Sequence, residues 1–177
     1  MNHQIPFNKT RFAVAMVISI AFAAIGILMF MRPEYFDAIN LGHDLLLKIG
    51  IFLSILFITV LVFTMLKLTN SSMGLVINEE GIQDNAGGLN FGLIKWEQII
   101  AFGTKKHLGN TNILIYVKNE EELINRLGKI KKRLVNENMK VFDTPVAISL
   151  TMLKPNSSEL LELFKQVARE KGVEFKD

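Results

Sequence analysis

The chain has 177 residues, half of them hydrophobic, with 20 Lys and Arg against 17 Asp and Glu, three His and no Cys. The missing cysteine excludes disulfides, thiolate nucleophiles and cysteine-based zinc sites, and it fits a reducing compartment. Over residues 67–177, 16 basic residues face 14 acidic ones; that balance is too even for a nucleic-acid-binding face, so no nucleic acid is expected as a partner.

Two apolar runs without a charge come first, residues 12–31 and 49–66. At 1.5 Å per residue each is long enough to cross a hydrocarbon core of about 30 Å. Lys9, Arg11 and the small-x-small step Ala21-Phe22-Ala23 also fit a cleavable signal peptide. The apolar run continues past Ala23 to Met31, however, beyond the usual signal length of about 7–15 residues, which favours a retained transmembrane helix. Basic residues flank the outer ends of the pair, Lys9 and Arg11 before it and Lys67 after it. The connecting loop has Arg32 and Lys48 but also Glu34, Asp37 and Asp44. This bias predicts a multi-pass hairpin with both termini cytoplasmic. Asn40-Leu41-Gly42 marks a turn, and Asp44 is placed to cap the second helix. Ala15, Ser19 and Ala23 in the first span, with Gly50 and Ser54 in the second, make small-residue stripes. Such stripes let helix backbones approach closely, here within one hairpin in preference to a seam between copies.

Residues 68–72 separate the second span from the next strand-like run. Five residues reach at most about 18 Å, which holds the following domain against the headgroups. Residues 74–78, 82–84 and 89–94 read as strands of a meander, with turns at Glu79-Glu80-Gly81 and Asn85-Ala86-Gly87-Gly88. Trp96, Ile99 and Phe102 lead into a strand ending near His107. Gly109-Asn110-Thr111-Asn112 then turns the chain into a strand at 113–117.

From residue 120 to 139 the period changes. Leu123, Ile124, Leu127, Ile130, Leu134 and Val135 fall on one helical face, with acids in the first turn and a basic run after it. A strand at 146–152 follows. Asn156 with Glu159 opens a second amphipathic helix in capping-box style, and Gly172 closes it. The expected fold is α+β: residues 1–67 as a tail and two-helix transmembrane hairpin, and residues 68–177 as a curled antiparallel sheet with an inserted helix and a C-terminal capping helix.

With two spans ahead of Gly74-Leu75-Val76-Ile77-Asn78-Glu79-Glu80-Gly81-Ile82, then Gly92-Leu93-Ile94-Lys95-Trp96-Glu97-Gln98-Ile99 and Thr144-Pro145-Val146, the chain resembles the bacterial pleckstrin-homology-like membrane proteins. The resemblance covers roughly residues 12–171 and implies a strongly bent sheet closed at one end by the last helix, in a bacterial inner membrane. It supplies no catalytic residues. The helix at 120–138 departs from the simple seven-strand-plus-helix pattern. Residues 68–94 contain no Lys or Arg, so no inositol-phosphate site is carried over.

Candidate chemistry is sparse. Gly87-Gly88-Leu89-Asn90-Phe91-Gly92 lies between strand-like runs with no helix directly after it, which marks a turn and not a phosphate cradle. His3, His43 and His107 show no ligand spacing, and no metal or cofactor is expected. Trp96 reads as a core aromatic where a strand turns. Arg126, Lys129, Lys131, Lys132 and Arg133 form the strongest lead, with no acid between Leu123 and Asn136. They are candidate lipid contacts or a solvated face. The expectation is a non-enzymatic, membrane-anchored interaction module whose partners are membrane lipids and another membrane or membrane-proximal protein, or the chain itself. Sensing of anionic lipid by residues 126–133 is the alternative, and a membrane enzyme the third reading.

Overall fold

The computed structural model describes residues 2–70, 73–85 and 89–176. It forms two compact units, Lys9–Ser71 and the combination of Met1–Asn8 with Ser72–Asp177.

In the first unit, α1 (Lys9–Met31) and α2 (His43–Asn70) are antiparallel neighbours joined by a 3₁₀ turn, Pro33–Ile39. Pro33 brings a fixed φ to the start of that turn. Asn40 ends it in the left-handed conformation, φ 55°. Asp44 lies inside the first turn of α2 and is not its cap; its carboxylate takes the Lys48 ammonium at 2.7 Å. Both helices are long and apolar enough to cross a membrane. Ser19, Ala23, Gly26 and Met29 are the buried positions of α1. A Cβ on Gly26 would stand 2.8 Å from the Ser54 nitrogen, and one on Gly50 would stand 2.7 Å from the Gly26 oxygen. Gly26, Gly50 and Ser54 therefore meet closely within the hairpin, and Gly26 is a small residue that the four-residue spacing from Ala15 does not reach. Ser19 and Ser54 donate to the carbonyls of Ala15 and Gly50, which satisfies their hydroxyls inside each helix.

The second unit has two four-stranded sheets. One runs in the order β1 (His3–Pro6), β2 (Met73–Ile77), β3 (Gly81–Asp84), β4 (Gly92–Lys95), all antiparallel. The strand β1 corrects the expected division, in which residues 1–8 were a tail of the hairpin. His3 pairs with Ile77 and Ile5 with Leu75, and Ile5 and Phe7 are buried. Pro6 sits at the strand's end, where the register shifts and the missing N–H is tolerated. Between β2 and β3, Asn78 Oδ1 accepts the Glu80 and Gly81 N–H groups at 2.9 and 3.1 Å. Gly81 lies so close to the Ile94 carbonyl that a Cβ there would strike it. Residues 86–88 of the predicted glycine turn lie outside the described residues. Leu89 and Phe91 are buried ahead of β4, which begins only at Gly92.

The second sheet has the order β7 (Val146–Ser149), β6 (Asn110–Val117), β5 (Ile99–His107), β8 (Glu174–Lys176), with β8 parallel to β5. The turn from β5 to β6 is Leu108-Gly109, with φ 47° and 76°, so β6 starts earlier than residue 113. The single helix expected at 120–139 is two, α3 (Glu120–Asn125) and α4 (Lys129–Phe142), interrupted at the extended Gly128. Strand β7, expected to run to residue 152, stops at Ser149 and gives way to a 3₁₀ turn, Leu150–Met152. Helix α5 (Ser157–Lys171) starts as expected: Asn156 accepts the Ser158 and Glu159 N–H groups at 3.0 and 3.1 Å, and Gly172 ends it at φ 66°.

Leu75, Ile77, Ile82 and Ile94 of the first sheet are fully buried, as are Phe102, Ile113, Ile115 and Ile148 of the second and Leu160, Phe164 and Val167 of α5. Phe164 meets Phe102 edge-on, centroids 5.5 Å apart, which seats α5 on β5. The two sheets are joined where Lys154 N–H donates to Pro6 O and Asn8 N–H to Met152 O, both at 2.9 Å.

Candidate interaction surface

The basic run is split by the break at Gly128, and its members have different occupations. Arg126 lies just past the end of α3 and pairs with Glu122 one turn back. On α4, Lys131 reaches inward and donates to the Leu89 carbonyl at 2.8 Å, and Lys132 donates to Asn125 Oδ1 at 2.9 Å. These three close local structure. Lys129 and Arg133 have no hydrogen-bond or ion-pair partner among the described residues, and they stand one turn apart on the exposed side of α4.

The same side carries a second ladder. Ile130 is 82% exposed and Leu134 53% exposed, again one turn apart. Sequence periodicity alone assigns both to the face that covers the sheet. The break at Gly128 resets the helical phase, so Val135 and Phe142 become the buried positions of α4 and Ile130 and Leu134 turn outward. A cationic pair and an apolar pair therefore run side by side. At the elbow between the helices, Asn90, Arg126, Leu127, Gly128, Lys129 and Ile130 line an open cleft of about 480 Å³.

Helix α4 is held at both ends. Lys131 ties its start to Leu89. At its far end Lys105 Nζ donates to the Val141 carbonyl at 2.5 Å, and His107 meets the Phe142 ring edge-on at 5.6 Å. Next to that anchor, Leu108 projects from the β5–β6 turn, 86% exposed, behind Lys105 and Lys106.

A groove of about 500 Å³ follows the open edge of the first sheet. Strand β4 ends that sheet and pairs only with β3 among the described residues. Its Leu93 and Lys95 line the groove with Gln98, Lys118, Asn119 and Arg126. Two of its lining residues are joined by the hydrogen bond from Lys118 N–H to Gln98 O at 2.8 Å.

Trp96 is half-buried and is not a core residue. Its Nε1 donates to Asn78 O at 2.9 Å, while the Lys171 ammonium lies 5.3 Å from its ring and pairs with Glu79 at 3.2 Å. This clasp joins the end of α5 to the β2–β3 turn. His43 faces Asp37 at 3.0 Å, and no group of three or more His, Asp or Glu side chains among the described residues is placed to hold a metal ion. Comparison with protein-family models, with curated proteins and with solved structures returns no match.

Proposed function

We propose that the chain is a non-enzymatic, membrane-anchored interaction module that presents a pleckstrin-homology-like domain at the cytoplasmic membrane face. The observation that carries this reading is the insertion of the apolar hairpin into the first sheet: the β1–β2 connection is the hairpin itself. Two crossings return the chain to the side it left, as the pairing of β1 with β2 requires. Loss of the first span as a signal peptide would also remove β1, and with it the buried Ile5 and Phe7. The connections are short. Helix α1 starts at the residue after Asn8, and two residues separate the end of α2 from β2.

Including β1 also supports the pleckstrin-like reading. Four antiparallel strands, then three more, β5 to β7, then a helix packed on β5, make up the seven-strand-plus-helix pattern. Helices α3 and α4, and the short β8, are additions to it.

The partner on this reading is another protein, which adds an extended segment to β4 in the groove beside it. An edge strand offers its unpaired backbone groups for such addition, and side pockets supply selectivity. The test is photo-crosslinking in cells from the full chain, with the probe at Leu93 or Gln98 and, for comparison, at Glu162 or Glu170 on the exposed side of α5. One and the same heterologous protein captured from Leu93 and Gln98 and absent from the α5 positions is the expected result. Adducts to the chain itself, or equal capture from all four positions, would overturn it.

A further inference from the structure

We infer that the outer side of α4 is a lipid-contacting surface: Ile130 and Leu134 insert into the interface of an anionic bilayer while Lys129 and Arg133 meet its headgroup phosphates. The inference rests on the membrane-anchored reading above and adds to it a second, peripheral attachment.

Three observations converge on it. The helix is amphipathic on its inner side, where Val135 and Phe142 are buried, yet it exposes two large apolar residues on its outer side. Isolated exposed apolar residues are ordinary, but an i, i+4 pair flanked by an i, i+4 pair of cations is the pattern of a helix lying in a headgroup layer. The cations available for this role are sorted by the structure itself: Arg126, Lys131 and Lys132 are committed to Glu122, Leu89 and Asn125. Lys129 and Arg133 remain, with no acid between Leu123 and Asn136, and Glu137, one turn beyond Arg133, is paired with Lys140. Finally, a bilayer is the one surface that two adjoining membrane-length helices would bring to this domain. Polybasic segments gain attraction from anionic leaflets, and long cationic side chains reach phosphates while their stems lie along apolar surface. Leu108 beside Lys106 repeats the chemistry at the hairpin tip next to the end of α4, where Lys105 is held by the Val141 carbonyl.

The absence of cysteine makes the test direct. The full chain carrying Ile130→Cys or Leu134→Cys is labelled with an environment-sensitive fluorophore and reconstituted into phosphatidylcholine vesicles with or without phosphatidylglycerol, with doxyl-lipid quenchers present. Ile55→Cys in α2 reports on the hairpin, Glu170→Cys gives the background, and fluorescence of the sole tryptophan, Trp96, reports the fold. The expected result is quenching at positions 130 and 134 that depends on phosphatidylglycerol and is lost in Lys129→Glu/Arg133→Glu, with Ile55 quenched throughout and Glu170 unquenched. Quenching at Ile55 with none at 130 and 134 would overturn the inference and leave the anchored reading intact. No quenching at Ile55 would overturn the anchored reading, and this inference with it. A blue shift at 130 without lipid quenching would mark contact with a second copy of the chain and would equally overturn it.

Discussion

Gly81 shows how a single missing methyl shapes the first sheet. Its strand pairs with β4 so closely that a Cβ would collide with the Ile94 carbonyl and stand 2.8 Å from Lys95 Cα, both backbone atoms that cannot swing aside. Gly81→Ala is expected to cost about 1–3 kcal/mol, the range for overpacking. The check is a lowered thermal midpoint followed by Trp96 fluorescence, which lies beside the same turn. Gly92→Ala is a useful contrast, because φ there is 72° but nothing lies within reach of a Cβ. Its penalty is backbone strain alone, about 1 kcal/mol. At this scale the sequence was informative where chemistry is local: Asn156, Glu159 and Gly172 announced both ends of α5. It was uninformative for Trp96, whose partners Asn78 and Lys171 come from a strand turn and a helix end distant in the chain.

At the scale of elements, the same contrast holds. Period 2 located β6, and period 3.6 located α5, because each pattern is written within one segment. Strand β1 was missed because four residues ending in proline carry too little pattern, and their partners lie beyond both helices. The break at Gly128 was missed for a related reason. The apolar positions from Leu123 to Val135 fit one continuous helix, and only the packing of α4 shows that its phase restarts. That restart is what turned Ile130 and Leu134 outward, so the candidate surface was legible as a basic run but not as a paired apolar and cationic ladder. Deletion of residues 2–8 tests β1 as an element. It exposes the edge of β2 and removes Ile5 and Phe7 from the core, each burial worth about 1.5–3 kcal/mol. The expected outcome is a chain whose sheet domain is degraded rapidly by added protease while the helical hairpin stays intact, as read by the sizes of the surviving fragments.

For the whole molecule, β1 and β2 must share one side of any membrane that the hairpin crosses, since they are hydrogen-bonded neighbours. Single-cysteine variants Asn2→Cys, Tyr35→Cys and Glu170→Cys check this with a membrane-impermeant maleimide on intact cells. Labelling of Tyr35→Cys alone, with the other two reached only after permeabilisation, is the expected result. Opposite accessibility of positions 2 and 170 would contradict the pairing. The same connection sets an order of events during synthesis. Strand β1 leaves the ribosome first, but its partner β2 exists only after both helices have been made, so residue 3 must wait for residue 77. The first sheet therefore closes only after both helices exist, and the pairing of α1 with α2 shortens the loop that β1 and β2 must close. Until it closes, Ile5 and Phe7 have no core to enter, and a delay in pairing the two helices becomes a delay in folding the domain whose chain they interrupt.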